Sequence, residues 1–133
     1  TRPIALLLVA VLHFIPDTEQ AYRIVRTLCD ALPSGSYLVL SHGTAEGLEE
    51  SVVAHGRAAY SRSSSGVFPR TRDEIAGFFT GLTPVGDGPA LLADWKLPGR
   101  PDGVVGDGNV VPLGDPGDLR KIPWICGIAR VGR

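Results

Sequence analysis

The run Ile4-Ala5-Leu6-Leu7-Leu8-Val9-Ala10-Val11-Leu12 contains no polar side chain and no alternation of apolar with polar positions. Such a segment is poorly suited to a sheet with one face in water. It predicts a strand covered on both faces, the habit of parallel sheets, with a buried helix of the same length as the rival. The next few residues favour the strand. Pro16 ends the run, and Asp17 with Gln20 three residues later marks the start of a new helix. Ala21, Val25, Leu28, Cys29 and Leu32 then recur at helical spacing, while Glu19, Arg23 and Asp30 lie off that stripe. Pro33-Ser34-Gly35 stops the helix, and Ser36-Tyr37-Leu38-Val39-Leu40 predicts a second buried strand. Strand, helix and strand in so short a stretch form a βαβ unit with parallel strands and a right-handed crossover.

Beyond it the pattern weakens. A helix over Ala45 to Tyr60 contains Gly47 and Gly56, each costing about 1 kcal/mol against alanine, so packing has to hold it. Ser61 to Gly66 is a polar loop. Thr71 with Glu74 predicts a capping box, after which Ile75, Phe78, Phe79 and Leu82 form one apolar helix face that closes at Gly81. Ala90 to Trp95 and Trp124 to Val131 predict two more strands, paired antiparallel. Between them, Leu97 to Pro123 crowds Gly, Pro and Asp into a connection longer than compact domains usually contain.

Length and charge narrow the function. A chain of 133 residues holds one small domain. Its 13 Lys and Arg against 14 Asp and Glu leave a charge of −1, and the only basic clusters are Arg70 with Arg72 and Arg120 with Lys121. Nucleic acid is therefore not an expected partner. The apolar stretch from Ile4 to Ile15, interrupted by His13, falls short of the ~20 residues that span a bilayer, which predicts a soluble, cytoplasmic protein without a membrane partner. Cys29 and Cys126 stand far apart without metal-ligand or redox spacing and are expected to be buried thiols; no metal is expected.

Ligands of open parallel sheets bind beyond the carboxyl ends of the strands. Two such ends are predicted here, Leu12-His13-Phe14 and Ser41-His42-Gly43, and each carries a histidine. An imidazole with an ordinary pKa near ~6.5 can serve as a general base, which makes His13 and His42 the catalytic candidates. The rival reading is a pair of hydrogen-bonded histidines that close their strands. Weaker signals point elsewhere. Ser41-His42 lacks the GxSxG pattern of a hydrolase nucleophile, and Gly103 to Gly108 follows no strand and opens no helix. Asp87, Asp94, Asp102, Asp107, Asp115 and Asp118 read as turn residues, not as metal ligands.

Three segments in order carry a family resemblance: Arg2 through Asp17, Ala31 through His42, and Arg70 through Leu82. Together they resemble the actinobacterial S-adenosylmethionine-dependent methyltransferases that carry LLVAVLHF-PD, ALPPGSYL-LSH and R-S-EI-FF-GL segments. The likeness covers roughly residues 2 to 95. It weakens at Asp87-Gly88-Pro89 and at Trp95-Lys96-Leu97-Pro98, and the loop at 97–123 is individual to this chain.

The resemblance implies an α/β, Rossmann-like methyltransferase sheet, mostly parallel with an antiparallel last strand. Residues 1–133 would be the C-terminal half of that single domain, with its fourth to seventh strands. The front half, with the glycine-rich cofactor turn and the acidic ribose ligand, would be missing. It further implies S-adenosyl-L-methionine as cofactor and a small-molecule substrate. Val11, Leu12, His13 and Phe14 would line the cofactor side, and His42 and Arg70 the substrate mouth. The rival from another class is a non-catalytic remnant that forms a homodimer through the sheet edge left open by the missing strands.

Overall fold

The computed structural model describes residues 2–61, 66–92, 94–95 and 124–132. The predicted 97–123 loop, with its aspartates and glycines, lies outside the described residues, as do the Arg120–Lys121 pair and most of the 61–66 loop. In chain order the elements are β1 (Ala5–Val9), a single 3₁₀ turn (Leu12–Phe14), α1 (Thr18–Asp30), β2 (Tyr37–Gly43), α2 (Glu50–Tyr60), α3 (Arg72–Gly77), β3 (Thr83–Pro84), β4 (Ala90–Leu91) and β5 (Trp124–Arg130).

The strands form one mixed sheet in the order β1-β2-β5-β3, with β4 also paired to β5. β1 and β2 run parallel, from Ala5 opposite Tyr37 to Val9 opposite Ser41. β5 lies antiparallel beside β2 over its whole length, from Tyr37 opposite Arg130 to Gly43 opposite Trp124. The last strand is thus antiparallel, as expected, and its pairing with β4 through Cys126 and Ile125 is antiparallel too.

One face of the sheet carries the core. Leu38, Leu40, Ile125 and Ala129 are fully buried there, under Ala21, Val25 and Cys29 of α1 and Ile75 of α3. Asp17 caps α1 by accepting a hydrogen bond from the Gln20 backbone N–H at 3.0 Å. Leu28 does not join the buried stripe. It is exposed, because α1 presents the flank of Tyr22 instead, and the Tyr22 hydroxyl donates to the Glu74 carbonyl at 2.7 Å. Thr71 and Glu74 make the predicted reciprocal capping box.

Several boundaries differ from the sequence expectation, each for a local reason. β1 ends at Val9 rather than Leu12, because Ala10 turns into the left-handed region at φ 54° and the chain winds into the 3₁₀ turn. β1 is also covered on one face only: Leu6 and Leu8 pack on the core while Leu7 and Val9 are exposed, at 62% and 56%. α2 begins at Glu50, not Ala45, since Gly47 at φ 73° makes a turn before it. α3 stops at Gly77, after which i to i+3 hydrogen bonds tighten the chain and deliver both Phe78 and Phe79 to the core. β4 is two residues long; past Leu91 the backbone N–H groups of Asp94 and Trp95 both turn back to the Leu91 carbonyl. Cys126 is only half-buried, on the face of β5 opposite Ile125; Cys29 is buried, and both thiols are free.

At the amino end of β1 and β2 a small node ties three segments together. The buried Ser36 hydroxyl accepts from the Ile4 N–H at 3.1 Å, and the Ser36 carbonyl accepts from the Val131 N–H at 2.8 Å. The Gly35 N–H returns to the Val131 carbonyl at 2.9 Å. This node fixes the register of both parallel strands and of the last one.

Candidate functional site

The carboxyl ends of β1 and β2 meet at the 3₁₀ turn. Ala10 reaches across to β2, its N–H lying 3.1 Å from the Ser41 hydroxyl and 3.3 Å from the Ser41 carbonyl. A left-handed alanine costs about 1–2 kcal/mol, a strain that the surrounding bonds have to hold. From there Val11 stays exposed at 44%, Leu12 and His13 turn inward and are buried, and Phe14 is half-buried. The two candidate histidines do converge, with ring centroids 5.8 Å apart and nearly perpendicular. Trp124 at the start of β5 closes the group, 5.3 Å from His13.

Beneath this rim lies Arg70, only 3% exposed. Its guanidinium donates from Nε to Thr18 Oγ1 at 3.1 Å, from Nη1 to the Leu12 carbonyl at 3.0 Å and to His42 Nε2 at 2.8 Å, and from Nη2 to the Ile15 carbonyl at 2.7 Å. It also lies 5.7 Å from the centroid of the Phe78 ring. His42 is fully buried between Arg70 and Phe78, whose ring stacks on it at 5.9 Å. The tautomer follows from the network: Nδ1–H donates to the Gly43 carbonyl at 2.7 Å, so Nε2 is the acceptor for Arg70. Burial, reinforced by the Arg70 charge, pushes the His42 pKa down to about 4, against a smaller upward pull from the Gly43 hydrogen bond. His13 is lowered as well, by burial first and Arg70 second. Burial likewise lowers the Arg70 pKa from its usual range.

The sequence-predicted site therefore divides in two. Val11 and Phe14 form the accessible part of the rim. Leu12 is a core residue. His13 carries an imidazole whose buried Nδ1 has no hydrogen-bond partner among the described residues. His42 and Arg70, expected at the substrate mouth, lie under the rim and bond to each other, with both His42 nitrogens already engaged. Ser41 points to the other face from His42 along β2, and its hydroxyl is held by Ala10, so no Ser–His pair forms. Sequence reasoning missed Thr18 and the carbonyls of Leu12 and Ile15 as partners of Arg70. Their separations of 52, 58 and 55 residues leave no local pattern to find.

The parallel strands with their rim turn, flanked by an antiparallel last strand, define an open-sheet α/β protein of the class that places its ligands beyond the strand carboxyl ends. The chain belongs to the S-adenosyl methyltransferase family, whose profile matches residues 1–131. Two solved structures are similar to it. A DUF574 family protein from Streptomyces avermitilis is 34% identical with a TM-score of 0.74, over 97% of this chain and 44% of that one. A candidate methyltransferase from Thermobifida fusca is 30% identical with a TM-score of 0.71, over 99% of this chain and 44% of that one. TnmH, 20% identical with a TM-score of 0.50 over 96% of this chain and 30% of that one, shares the fold. No curated protein matches the sequence. The chain thus spans less than half the length of the solved structures it resembles.

The family implies S-adenosylmethionine as cofactor. At the rim Val11 presents exposed apolar surface and Phe14 a half-buried aromatic edge, while His13 Nδ1 is buried. Among the described residues no helix is long and apolar enough to cross a membrane.

Proposed function

We propose that this chain is the C-terminal half of the catalytic domain of an S-adenosylmethionine-dependent methyltransferase acting on a small molecule, and that its rim turn forms one wall of the cofactor and substrate pocket. The family match along nearly the whole chain carries the reading. When bound, the cofactor supplies a methyl group on a sulfonium sulfur, open to in-line displacement by a nucleophile. Val11 and Phe14 bind by contact and exclude water from that side of the pocket, which favours the approach geometry on which such a displacement depends. His13 Nδ1, buried and without a hydrogen-bond partner among the described residues, is the proton acceptor in this reading, and its use requires the rim to open toward the substrate. His42 is not a proton acceptor in this scheme, since Arg70 occupies its only lone pair.

Titration of the 133-residue chain with S-adenosylmethionine, followed by calorimetry and by amide chemical shifts, tests this. Weak binding that moves only the amides of residues 11–14 is expected. Sub-micromolar affinity would contradict a single-wall contribution, and shifts confined to another surface would reject the site.

A second reading rests on the exposed apolar residues Leu7 and Val9 on β1, with Ile4 just before it; β1 lies at the edge of the described sheet. In it the chain acts as a dimerisation module through that strand. Light scattering coupled to size-exclusion chromatography decides: a clean monomer at high micromolar concentration removes it.

A further inference from the structure

We infer that Arg70, together with His42, is a positioning residue that presets the rim turn for ligand. Buried cations are ordinarily matched by carboxylates. The direct acceptors on this guanidinium are instead two backbone carbonyls, one hydroxyl and one neutral imidazole, while the carboxylates of Glu74 and Asp17 act on it through charge. Both carbonyls, Leu12 and Ile15, belong to the rim turn or its exit, and Thr18 opens the helix that follows.

The backbone on either side of Arg70 repeats the pattern. The Phe68 N–H donates to the His13 carbonyl at 2.8 Å, and the Arg70 N–H to the Gly43 carbonyl at 3.2 Å. The segment 68–70 thus grips the carbonyls of residues 12, 13 and 15 and the end of β2 together. The Leu12 carbonyl also accepts the Ile15 N–H that closes the 3₁₀ turn, so the guanidinium acts on the bond that defines the turn.

His42 completes the device. Its ring is oriented by the Gly43 carbonyl and the Phe78 face, and its unprotonated Nε2 fixes one side of the guanidinium plane. A lysine could not take the place of Arg70: one ammonium carries three donors at a single point, whereas the planar fork reaches acceptors on several sides. The gain for binding is preorganisation, because a turn held before the ligand arrives needs no ordering when it binds. This ligand-directed role rests on the methyltransferase reading, whereas the grip on the turn does not.

Amide hydrogen exchange on the chain and its Arg70→Lys variant separates these. The amides that close the rim, Phe14, Ile15 and Phe68, should lose protection at least tenfold. The ladder amides of Leu38, Leu40 and Ala129 should stay within twofold. Uniform loss, or an unchanged rim, overturns the inference.

Should Arg70→Lys fail to fold, Thr18→Val decides in its place by removing the Nε acceptor alone. A rim-selective loss of about threefold supports the inference, and none refutes it. In parallel, S-adenosylmethionine is titrated into the chain and the folded variant. An affinity lowered tenfold or more alongside the rim loss supports positioning, and an unchanged affinity with a loosened rim refutes the ligand-directed role. If the wild-type chain shows no response to S-adenosylmethionine at all, the methyltransferase reading of this rim fails, and the exchange pattern alone still decides whether Arg70 sets the turn.

Discussion

Acidification should destabilise this protein through His42. The imidazole is buried and its pKa stands at about 4, against an ordinary value of 6.5. Above 6.5 it is neutral in both folded and unfolded chains, and its contribution to stability is complete. As the pH falls below 6.5 the unfolded chain takes up a proton that the folded one refuses, so stability drops until the folded pKa near 4 is reached. The sign is fixed by that order: a depressed folded pKa gives stability that is present at high pH and lost toward acid. Each pH unit of separation is worth about 1.36 kcal/mol, which makes the loss between pH 7 and 4 about 3 kcal/mol. That is a large share of the ~5–15 kcal/mol available to a typical domain. His13 is lowered too and adds loss of the same sign.

The assay is urea unfolding at intervals from pH 7 to pH 4, with His42→Gln as the control. Glutamine keeps an amide oxygen to accept from Arg70 but does not titrate. The variant should be the less stable protein at pH 7, and the gap between the two should narrow by about 3 kcal/mol by pH 4. Parallel stability curves would refute the reasoning, because they would show that His42 binds protons equally in both states.

Three further perturbations test the packing and the turns. Gly127→Ala would place a Cβ 2.9 Å from Phe79 Cζ, so overpacking should cost about 1–3 kcal/mol by denaturant unfolding, and Phe79→Leu in the same chain should recover part of it. Ala10→Gly removes the left-handed penalty at φ 54° and returns only glycine's extra chain entropy, so the thermal midpoint should stay level or rise, by up to about 1 kcal/mol in stability; a clear fall would deny that the residue is strained. Thr71→Ala deletes the cap on α3 and should cost about 1 kcal/mol, with exchange rising first at the Glu74 amide.

The parts that local chemistry controls are legible in the sequence alone. Asp17 and Thr71 start their helices because a short oxygen-bearing side chain can reach an unpaired N–H two or three residues on, a relation visible in any stretch of sequence. Two apolar runs joined by a helix imply parallel neighbours, and β1 and β2 lie so. The end of β1 is not legible, since Ala10 enters the left-handed region without the glycine or asparagine that usually announces it. The one-sided cover of β1 escapes as well: an apolar run reports what its side chains prefer, not what surrounds them.

In the site, the strand-end histidines meet as their positions suggest, yet the work of Arg70 cannot be seen in the sequence. A cation in a loop between Pro69 and Thr71 resembles a surface residue until the fold brings Leu12, Ile15, Thr18 and His42 around it. Half of its acceptors are backbone carbonyls, which every residue possesses and which therefore leave no mark in the sequence.

The Ser36 node has a practical consequence. Because β5 returns antiparallel to β2, it brings Gly132 against Ser34 while Pro3 lies beside Gly35, so the first and last described residues emerge at the same end of the sheet, remote from the histidines. A fluorophore placed on this end of the sheet therefore reports on the strand register without crowding Val11 or Phe14.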